Sequence, residues 1–420
     1  MSICLKSSYS SCALCPRVCG VDRSSGATGF CGMSSELRIS RVGLHMWEEP
    51  CLSGTRGSGT IFFTGCNLGC VFCQNYEISH CVRRRSAAAG AGVSTCTAPG
   101  SEVGAAVGAG VSTCTAAGSE VGAAVGAEAS TAVGAAAGAG QGVQVSGPTT
   151  CHLKPGKSFS IEEFAQAMLS LQAQGAHNIN FVTGTHYIPH IVEGVRLARE
   201  QGLILPTLYN CGGYESVEAL RMLEGTIDIY LPDMKFFSPD VSKKYCGVRD
   251  YFDRCRDAIA EMVRQCPVQE FESDCAESVD SNAGNCASNA TDSNAENYAN
   301  NAAGAPDADD APGAADADDA SGAANRLMRR GVIVRHLMLP GLLFDTKHIL
   351  DYLTETYGNQ ITISLMNQYT PMPGVPEELA TPLNPKHYES MVNYLSILGQ
   401  ENAYTQEGDT VSESFIPDFE

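Results

Sequence analysis

Three cysteines, Cys66, Cys70 and Cys73, stand close together in the segment GCNLGCVFCQN, with the spacing C-x3-C-x2-C. Closely spaced thiolates are typical ligands of zinc and of iron–sulfur clusters. Closed structural zinc sites and most iron–sulfur clusters take four protein ligands, so a set of three leaves one coordination position open. We therefore predict a metal centre at which a substrate or cofactor binds directly to the metal.

A second set of cysteines precedes the first. Cys12, Cys15, Cys19 and Cys31 have the spacing C-x2-C-x3-C-x11-C. Four thiols suit a closed structural site that holds zinc or an accessory iron–sulfur cluster, and the alternative is that they are free thiols in a small lobe. The chain has nineteen cysteines, and its first residues lack the apolar segment of a signal peptide, so we do not expect a disulfide framework.

Two stretches have compositions that cannot build a hydrophobic core. Residues 84–150 are almost entirely Ala, Gly, Val, Ser and Thr, and they contain an 18-residue unit at 92–109 that repeats at 110–127. Residues 267–325 are mostly Asn, Asp, Ala, Gly and Ser. We predict that both stretches are disordered inserts. The roughly 290 residues that remain suffice for one barrel-sized domain.

The net charge of −20 comes mainly from the second insert, which holds thirteen Asp and Glu residues and no Lys or Arg. We interpret this charge as that of a solvated segment. The sequence has no basic stripe suited to nucleic acid and no run of 18 apolar residues that would span a membrane. These patterns predict a soluble, cytoplasmic protein without nucleic-acid or membrane partners.

Outside the inserts, patterns of buried strands alternate with patterns of amphipathic helices. Ser160 and Glu163 form a capping-box pattern at the start of the first such helix. The predicted strands lie in GTIFFTG, NINFVTG, LILPTLYN, IDIYLPDMK, GVIVRHLMLPG and ITISLMNQYTP. The predicted helices span 161–175, 188–202, 216–225, 250–265, 346–358 and 385–399. This repeated order predicts an α/β fold with parallel strands.

Polar residues cluster where the predicted strands end. In barrels of parallel strands, chemistry gathers at the carboxyl ends of the strands. The three closely spaced cysteines follow the first predicted strand and are therefore expected at this edge. The other polar residues at these ends are Thr183, His186, Asn210, Asp233, Lys235, Arg335, Asn367 and Gln368.

The arrangement of Cys66, Cys70 and Cys73 after a strand, with Phe72 beside the last cysteine, resembles the signature of radical S-adenosylmethionine enzymes. In that superfamily, three thiolates hold three irons of a [4Fe–4S] cluster, and the fourth iron binds the amino and carboxylate groups of S-adenosylmethionine. Reductive cleavage of the sulfonium then gives a 5′-deoxyadenosyl radical, which abstracts hydrogen from a substrate. The resemblance would account for the open coordination position.

Further segments narrow the resemblance. CALCPRVCGVDRSSGATGFCG, DIYLPDMKFF, GVIVRHLMLPG and ISLMNQYTP resemble uncharacterised iron–sulfur proteins related to pyruvate formate-lyase activating enzyme. The resemblance covers nearly all of the chain outside the inserts. It implies the partial (β/α)6 TIM-type barrel of radical S-adenosylmethionine enzymes in residues 53–420, interrupted by the inserts and preceded by a small Cys-rich lobe in residues 1–52.

The resemblance also implies positions that bind the cofactor. Asp233 to Lys235 is similar to a D-x-K element of the activating enzymes, and Arg335 to a basic residue near the cofactor, with an ordinary ion pair and a structural arginine as alternatives. Where those enzymes carry Gly-Gly-Glu, this chain has TGTH, so His186 either replaces the carboxylate or caps a loop. The predicted cofactor-binding residues are Phe72, Thr183, Gly184, His186, Asn210, Asp233, Lys235 and Arg335.

Two functions from different classes follow from these residues. The first is a radical S-adenosylmethionine oxidoreductase that receives electrons from a flavodoxin or ferredoxin and acts on a small molecule or on a protein, such as a glycyl-radical enzyme. No catalytic residue is assigned to it. The second is a zinc-stabilised, non-catalytic binding module in which both cysteine sets hold zinc. Iron with acid-labile sulfide distinguishes the first from the second.

Overall fold

The computed structural model describes residues 5–79, 156–272, 326–372 and 374–406. Ten strands in these residues belong to one sheet. They are β1 (Arg38–His45), β2 (Ser58–Phe63), β3 (Lys157–Ser158), β4 (Ile179–Val182), β5 (Thr207–Cys211), β6 (Ile229–Pro232), β7 (Glu270–Phe271), β8 (Met328–Leu337), β9 (Thr362–Met366) and β10 (Ala403–Thr405).

Most of the sheet is parallel. Strands β2, β4, β5, β6, β8, β9 and β10 are neighbours in that order, and each pair is parallel. The six predicted strands are the first six of these, so their existence and their parallel pairing are confirmed. Strand β1 pairs antiparallel with β2, β3 extends β1, and β7 pairs antiparallel with β8. The protein is therefore a mixed α/β protein with a largely parallel sheet.

Ten α-helices lie in the described residues. They are α1 (Leu5–Tyr9), α2 (Pro50–Ser53), α3 (Tyr76–Ser79), α4 (Ile161–Ala173), α5 (Ile188–Glu200), α6 (Val217–Met222), α7 (Pro239–Cys246), α8 (Tyr251–Gln265), α9 (Leu343–Tyr357) and α10 (Pro385–Ile397). The six predicted helices are confirmed as α4, α5, α6, α8, α9 and α10, whereas α1, α2, α3 and α7 were not predicted. Within the described part of the chain, no helix is both long and apolar enough to cross a membrane.

Local sequence explains why these elements form. The side chain of Ser160 accepts a hydrogen bond from the Glu163 amide, and the Glu163 carboxylate accepts one from the Ser160 amide, which confirms the capping box at the start of α4. Phe164, Met168 and Leu171 recur at helical spacing and are fully buried. Strand β4 is buried along its whole length, as expected for a parallel strand covered on both faces.

The Cys-rich leader is part of the same structure as the sheet. Strand β1 lies within residues 1–52 and pairs along most of its length with β2, so no break in the sheet occurs at residue 52. Residues 267–272, predicted as the start of the acidic insert, are described and contain β7. The prediction for 84–150 and the rest of the prediction for 267–325 lie outside the described residues.

Candidate metal centre

The loop that carries Cys66, Cys70 and Cys73 begins directly after β2 and folds back on itself. The amide of Gly65 donates to the carbonyl of Ile78, with 2.7 Å between nitrogen and oxygen. Gly65 has a φ of 89°, and a Cβ here would lie 2.7 Å from the carbonyl oxygen of Cys31. Only glycine fits this turn, because a side chain would meet both backbone strain and the leader. The turn places the cysteines at the carboxyl edge of the sheet.

The three thiols share one environment. They are free, Cys73 acts electrostatically on both Cys66 and Cys70, and Cys66 acts on Cys70. The amide of Leu68 donates to the sulfur of Cys66 at 3.3 Å, and the thiol of Cys73 lies 3.5 Å from the hydroxyl oxygen of Ser79. Burial raises the pKa of Cys66 to about 12. Ligation therefore requires a metal that displaces these protons.

Lys235 supplies a fixed positive charge beside the thiols. Its ammonium donates to the carboxylate of Asp233 at 2.6 Å. Burial lowers the pKa of Lys235. The neighbouring Asp233 and Cys70 raise it by more, so the pKa lies above its usual value and the ammonium keeps its charge. Lys235 in turn acts to lower the pKa of all three thiols. A cation in this position favours thiolates over thiols.

In the part of the chain that the structure describes, no group of three or more His, Cys, Asp or Glu side chains is arranged to hold a single metal ion. A [4Fe–4S] cluster needs its thiolates farther apart than a single ion does, because each thiolate binds its own iron around a larger inorganic core.

The TGTH segment forms a tight loop after β4. Thr183 has a φ of 60°, a left-handed conformation that is rare for a β-branched residue. Its amide donates to the carbonyl of Asn210 at 2.8 Å, which ties the loop to the end of β5. A Cβ on Gly184 would lie 2.5 Å from Cδ1 of Ile191, so a side chain does not fit there. Backbone strain held by neighbouring elements is typical of functional loops.

His186 lies behind this loop and joins it to the cysteine loop. Its Nε2 donates to the carbonyl of Thr64 at 2.7 Å, and the side chain is 2% exposed. Burial lowers the pKa of His186 to about 3, so the imidazole stays neutral. The guanidinium of Arg23 donates to the His186 carbonyl at 2.7 Å. These contacts match the alternative in which His186 caps the loop.

Phe72 and Asn210, both predicted near the cofactor, differ in their surroundings. Phe72 packs edge to face against Phe236, with ring centroids 5.9 Å apart, and is buried in the main core. The Phe72 side chain therefore anchors the cysteine loop to the hydrophobic core. Asn210 lies in β5 opposite Val182 of β4, at the carboxyl edge of the sheet.

Arg335 has protein partners that the sequence did not predict. Its Nε donates to Glu49 at 2.9 Å, and a terminal nitrogen donates to Glu48. The carboxamide of Asn180 donates to Glu48 at 2.8 Å. Burial raises the pKa of Glu49 to about 7, and hydrogen bonds from its own backbone and from the Ser364 side chain act in the opposite direction. Arg335 is therefore part of a largely buried network of charged groups, and its predicted role near the cofactor stays a prediction.

The four leader cysteines are brought near one another. Cys31 is influenced electrostatically by Cys12 and Cys19, and Cys15 by Cys19 and Cys31. The amide of Phe30 donates to the sulfur of Cys19 at 3.4 Å. All four are free thiols. The prediction of zinc or an accessory cluster at this set stays a prediction.

The leader contacts the cysteine loop directly. Arg17 donates from Nε to the carbonyl of Asn67 at 3.0 Å, and its guanidinium stacks 3.6 Å above the ring of Phe30. The carboxamide of Asn67 donates to the carbonyl of Tyr214 at 2.5 Å. These bonds link the leader, the cysteine loop and the segment after β5, so the three parts hold one another in place.

Glu215 is a buried carboxylate that the sequence analysis missed. It accepts hydrogen bonds from Thr185 at 2.8 Å and from Tyr209 at 3.1 Å. Its charge acts on both Cys15 and Cys66, so it lies between the leader and the cysteine loop. Glu215 braces the TGTH loop against β5, and the only signal in the sequence is its position after a predicted strand.

We predict that Glu215→Gln removes a pH dependence of folding stability. Burial raises the pKa of Glu215 from its ordinary value of 4.5 to about 7. Because the folded protein binds more protons than the unfolded chain between these values, its stability falls as the pH rises through this range, by up to about 3 kcal/mol. Glutamine has no proton to lose, so the variant lacks this fall.

Denaturant unfolding of wild type and variant at several pH values measures the difference in free energy of unfolding. The exposed Glu162→Gln is the matched control, and its difference from wild type should stay constant. If the Glu215→Gln difference is also constant between pH 4.5 and 7, Glu215 does not have the raised pKa.

Comparison with known proteins gives one distant similarity. No family model matches the chain. The chain is similar to the "Uncharacterized protein MJ0674" of Methanocaldococcus jannaschii, with 25% identical residues over 248 positions, which make up 59% of this chain and 52% of that protein. The chain thus spans about half the length of this relative. The relative's name states no activity.

Proposed function

We propose that this protein is a radical S-adenosylmethionine enzyme, built on the partial (β/α)6 barrel of that superfamily. The observation that carries the proposal is the placement of Cys66, Cys70 and Cys73. They share one loop after β2, at the carboxyl edge of the parallel sheet, beside the ammonium of Lys235. Three thiols with a neighbouring cation suit a negatively charged cluster that keeps one iron free for another ligand.

The residues of the chain fit such a cluster. The Leu68 amide already points at the sulfur of Cys66, and the Ser79 hydroxyl can donate to Cys73 once that thiol has lost its proton. The reduction potential of an iron–sulfur centre depends on the hydrogen bonds to its sulfurs and on the charges near it. When bound, the cluster and S-adenosylmethionine supply one-electron cleavage of the sulfonium and a 5′-deoxyadenosyl radical for hydrogen abstraction.

In this proposal, other residues at the carboxyl edge of the sheet bind and orient S-adenosylmethionine. The backbone of Thr183 and Gly184 is held there by β4 and β5, and Asn210 and Asp233 end the neighbouring strands. The buried aromatic and apolar side chains behind the cysteine loop exclude water, which protects a reactive radical. An electron donor of the flavodoxin or ferredoxin class completes the reaction.

The substrate is a small molecule or a protein, and activation of a glycyl-radical enzyme is the protein case that the sequence resemblance favours. The fold alone does not select between these substrates. The leader lies against the cysteine loop, so a protein substrate or an electron donor that reaches this edge would contact residues of both.

Metal analysis of anaerobically purified and reconstituted protein tests the proposal. We expect about four irons and four acid-labile sulfides per chain for one [4Fe–4S] cluster, and about twice these values if the leader cysteines hold a second. Zinc without sulfide would contradict the proposal and support the zinc-stabilised binding module.

A further inference from the structure

A network of charged side chains lies along the parallel sheet, next to the candidate metal centre. Glu48 and Glu49 precede α2, and Arg335 lies in β8. Arg335 binds both carboxylates, and the Arg335 backbone bridges to that of Asp233 on the neighbouring strand. Asp233 in turn binds Lys235. The network therefore reaches continuously to the ammonium beside the three cysteines.

The network contains more negative than positive groups. The carboxyl groups of Glu48, Glu49 and Asp233 form ion pairs with two cations, Arg335 and Lys235. The pKa of Glu49, raised to about 7 by burial, agrees with a third carboxyl group that has no cation of its own. A buried carboxylate without its own partner is costly, so a binding site with this surplus favours a cationic ligand. A carboxylate has about four lone-pair positions, and the hydrogen bonds from Arg335, Asn180 and Ser364 leave some of them open on both glutamates.

An acceptor at the same place has no partner. Oδ1 of Asn180 is buried and makes no hydrogen bond, and the residue is fully buried. The orientation of the carboxamide is fixed, because its Nδ2 must face the Glu48 carboxylate to which it donates at 2.8 Å. Buried acceptors are almost always satisfied in folded proteins. The missing partner of Asn180 is therefore a donor.

The network is reachable from the carboxyl edge of the sheet. The side chains of Arg335, Lys235 and Asp233 are 15%, 18% and 21% exposed, whereas those of Glu48 and Glu49 are 6% exposed. The accessible part of the network thus lies on the side of the cysteine loop, and the two glutamates lie deeper. A purely structural ion pair would need neither the surplus carboxylate nor the unpaired acceptor.

From this arrangement, we infer that the protein binds a substrate that carries an alkylammonium group, held by Glu48, Glu49 and Oδ1 of Asn180. An ammonium offers three donors and one positive charge, which match the open carboxylate positions, the unpaired acceptor and the charge surplus. The role as substrate rests on the proposed function, because hydrogen abstraction occurs at the adjacent metal centre. The binding site itself does not depend on that reaction.

Equilibrium binding of three small probes to the full chain tests the inference. n-Pentylamine, n-pentanol and n-pentanoate have the same length and differ in the charge of the head group. Ligand-observed NMR should show that the ammonium binds at least about tenfold more tightly than the alcohol, and that pentanoate binds least. Equal affinity for the amine and the alcohol would overturn the inference.

Two further measurements locate the site. Glu49→Gln should weaken pentylammonium binding at least about tenfold, since one carboxylate is lost, while the exposed Glu162→Gln should not change it. Hydrogen–deuterium exchange of the unmodified protein, read by mass spectrometry after peptic digestion, should show that pentylammonium protects the backbone amides of the peptide that contains Glu48 and Glu49. This second measurement needs no variant, so a Glu49→Gln chain that fails to fold leaves the test intact, and absence of protection would overturn the inference.

The outcomes separate this inference from the proposed function. Pentylammonium binding with zinc and no sulfide in the purified protein would uphold the amine site and contradict the radical chemistry. A complete [4Fe–4S] cluster in a protein that binds pentylamine no more tightly than pentanol would support the proposed function and overturn the amine site.

Discussion

Replacing Cys70 with serine is expected to remove the iron–sulfur cluster. Cys70 is the middle cysteine of the loop and is the most buried of the three thiols. Serine at neutral pH is a poor ligand for iron, so iron should fall from about four atoms per chain to below one at the main centre. Formation of 5′-deoxyadenosine should fall by roughly a hundredfold or more, because the sulfonium is then not held at a cluster.

Cys246→Ser is the matched control for this substitution. Cys246 is also buried and free, and it lies close enough to Cys70 to influence it electrostatically. Its thiol donates to the carbonyl of Ser242 at 3.1 Å, within α7. The control should therefore keep its iron and sulfide. Retention of a complete cluster in Cys70→Ser, or its loss in both variants, would contradict the assignment of the ligands.

Replacing Arg23 with methionine is expected to destabilise the fold by about 3–5 kcal/mol. Arg23 is fully buried in the leader and donates to the carbonyls of Met33, Ser34 and His186 at 2.7–3.0 Å. Its guanidinium also lies 4.6 Å from the centre of the Tyr9 ring. Methionine fills part of the volume but removes the guanidinium donors from three carbonyls, of which those of Met33 and His186 are buried.

The denaturant midpoint and the free energy of unfolding measure this effect. Arg196→Met is the control, because Arg196 is exposed on α5 and binds only Glu193 and Glu200 of the same helix. It should leave the midpoint unchanged. Because Arg23 joins the leader to the TGTH loop, its variant should also lose iron during purification. A variant with the stability of wild type would show that the leader is not anchored through Arg23.

The sequence was sufficient to predict the elements whose residues form a local pattern. Strand β4 and helix α4 are examples, because their apolar periods and the capping box at Ser160 are readable over a few residues. The cysteine spacing and the position of the cysteines after a strand likewise identified the candidate centre. Strand β1 was missed because it pairs at the edge of the parallel sheet and carries mixed polar and apolar residues.

The residues that the sequence did not reveal are those defined by distant partners. Glu49 meets Arg335 across 286 positions, and Arg23 meets His186 across 163. Glutamate and arginine are usually exposed unless they are paired. Without knowledge of the distant partners, the sequence therefore gave no reason to place these side chains in the interior. His186 shows the same limit, because its bond to Thr64 joins residues 122 positions apart and no local pattern indicates it.

The most direct test of the account is the formation of 5′-deoxyadenosine. The full chain is reconstituted anaerobically with iron and sulfide, reduced with S-adenosylmethionine present, and compared with Cys70→Ser and Cys246→Ser. The account predicts 5′-deoxyadenosine from the native protein and from Cys246→Ser, and none above background from Cys70→Ser. A native protein that holds a complete cluster and still forms no 5′-deoxyadenosine would contradict the central claim.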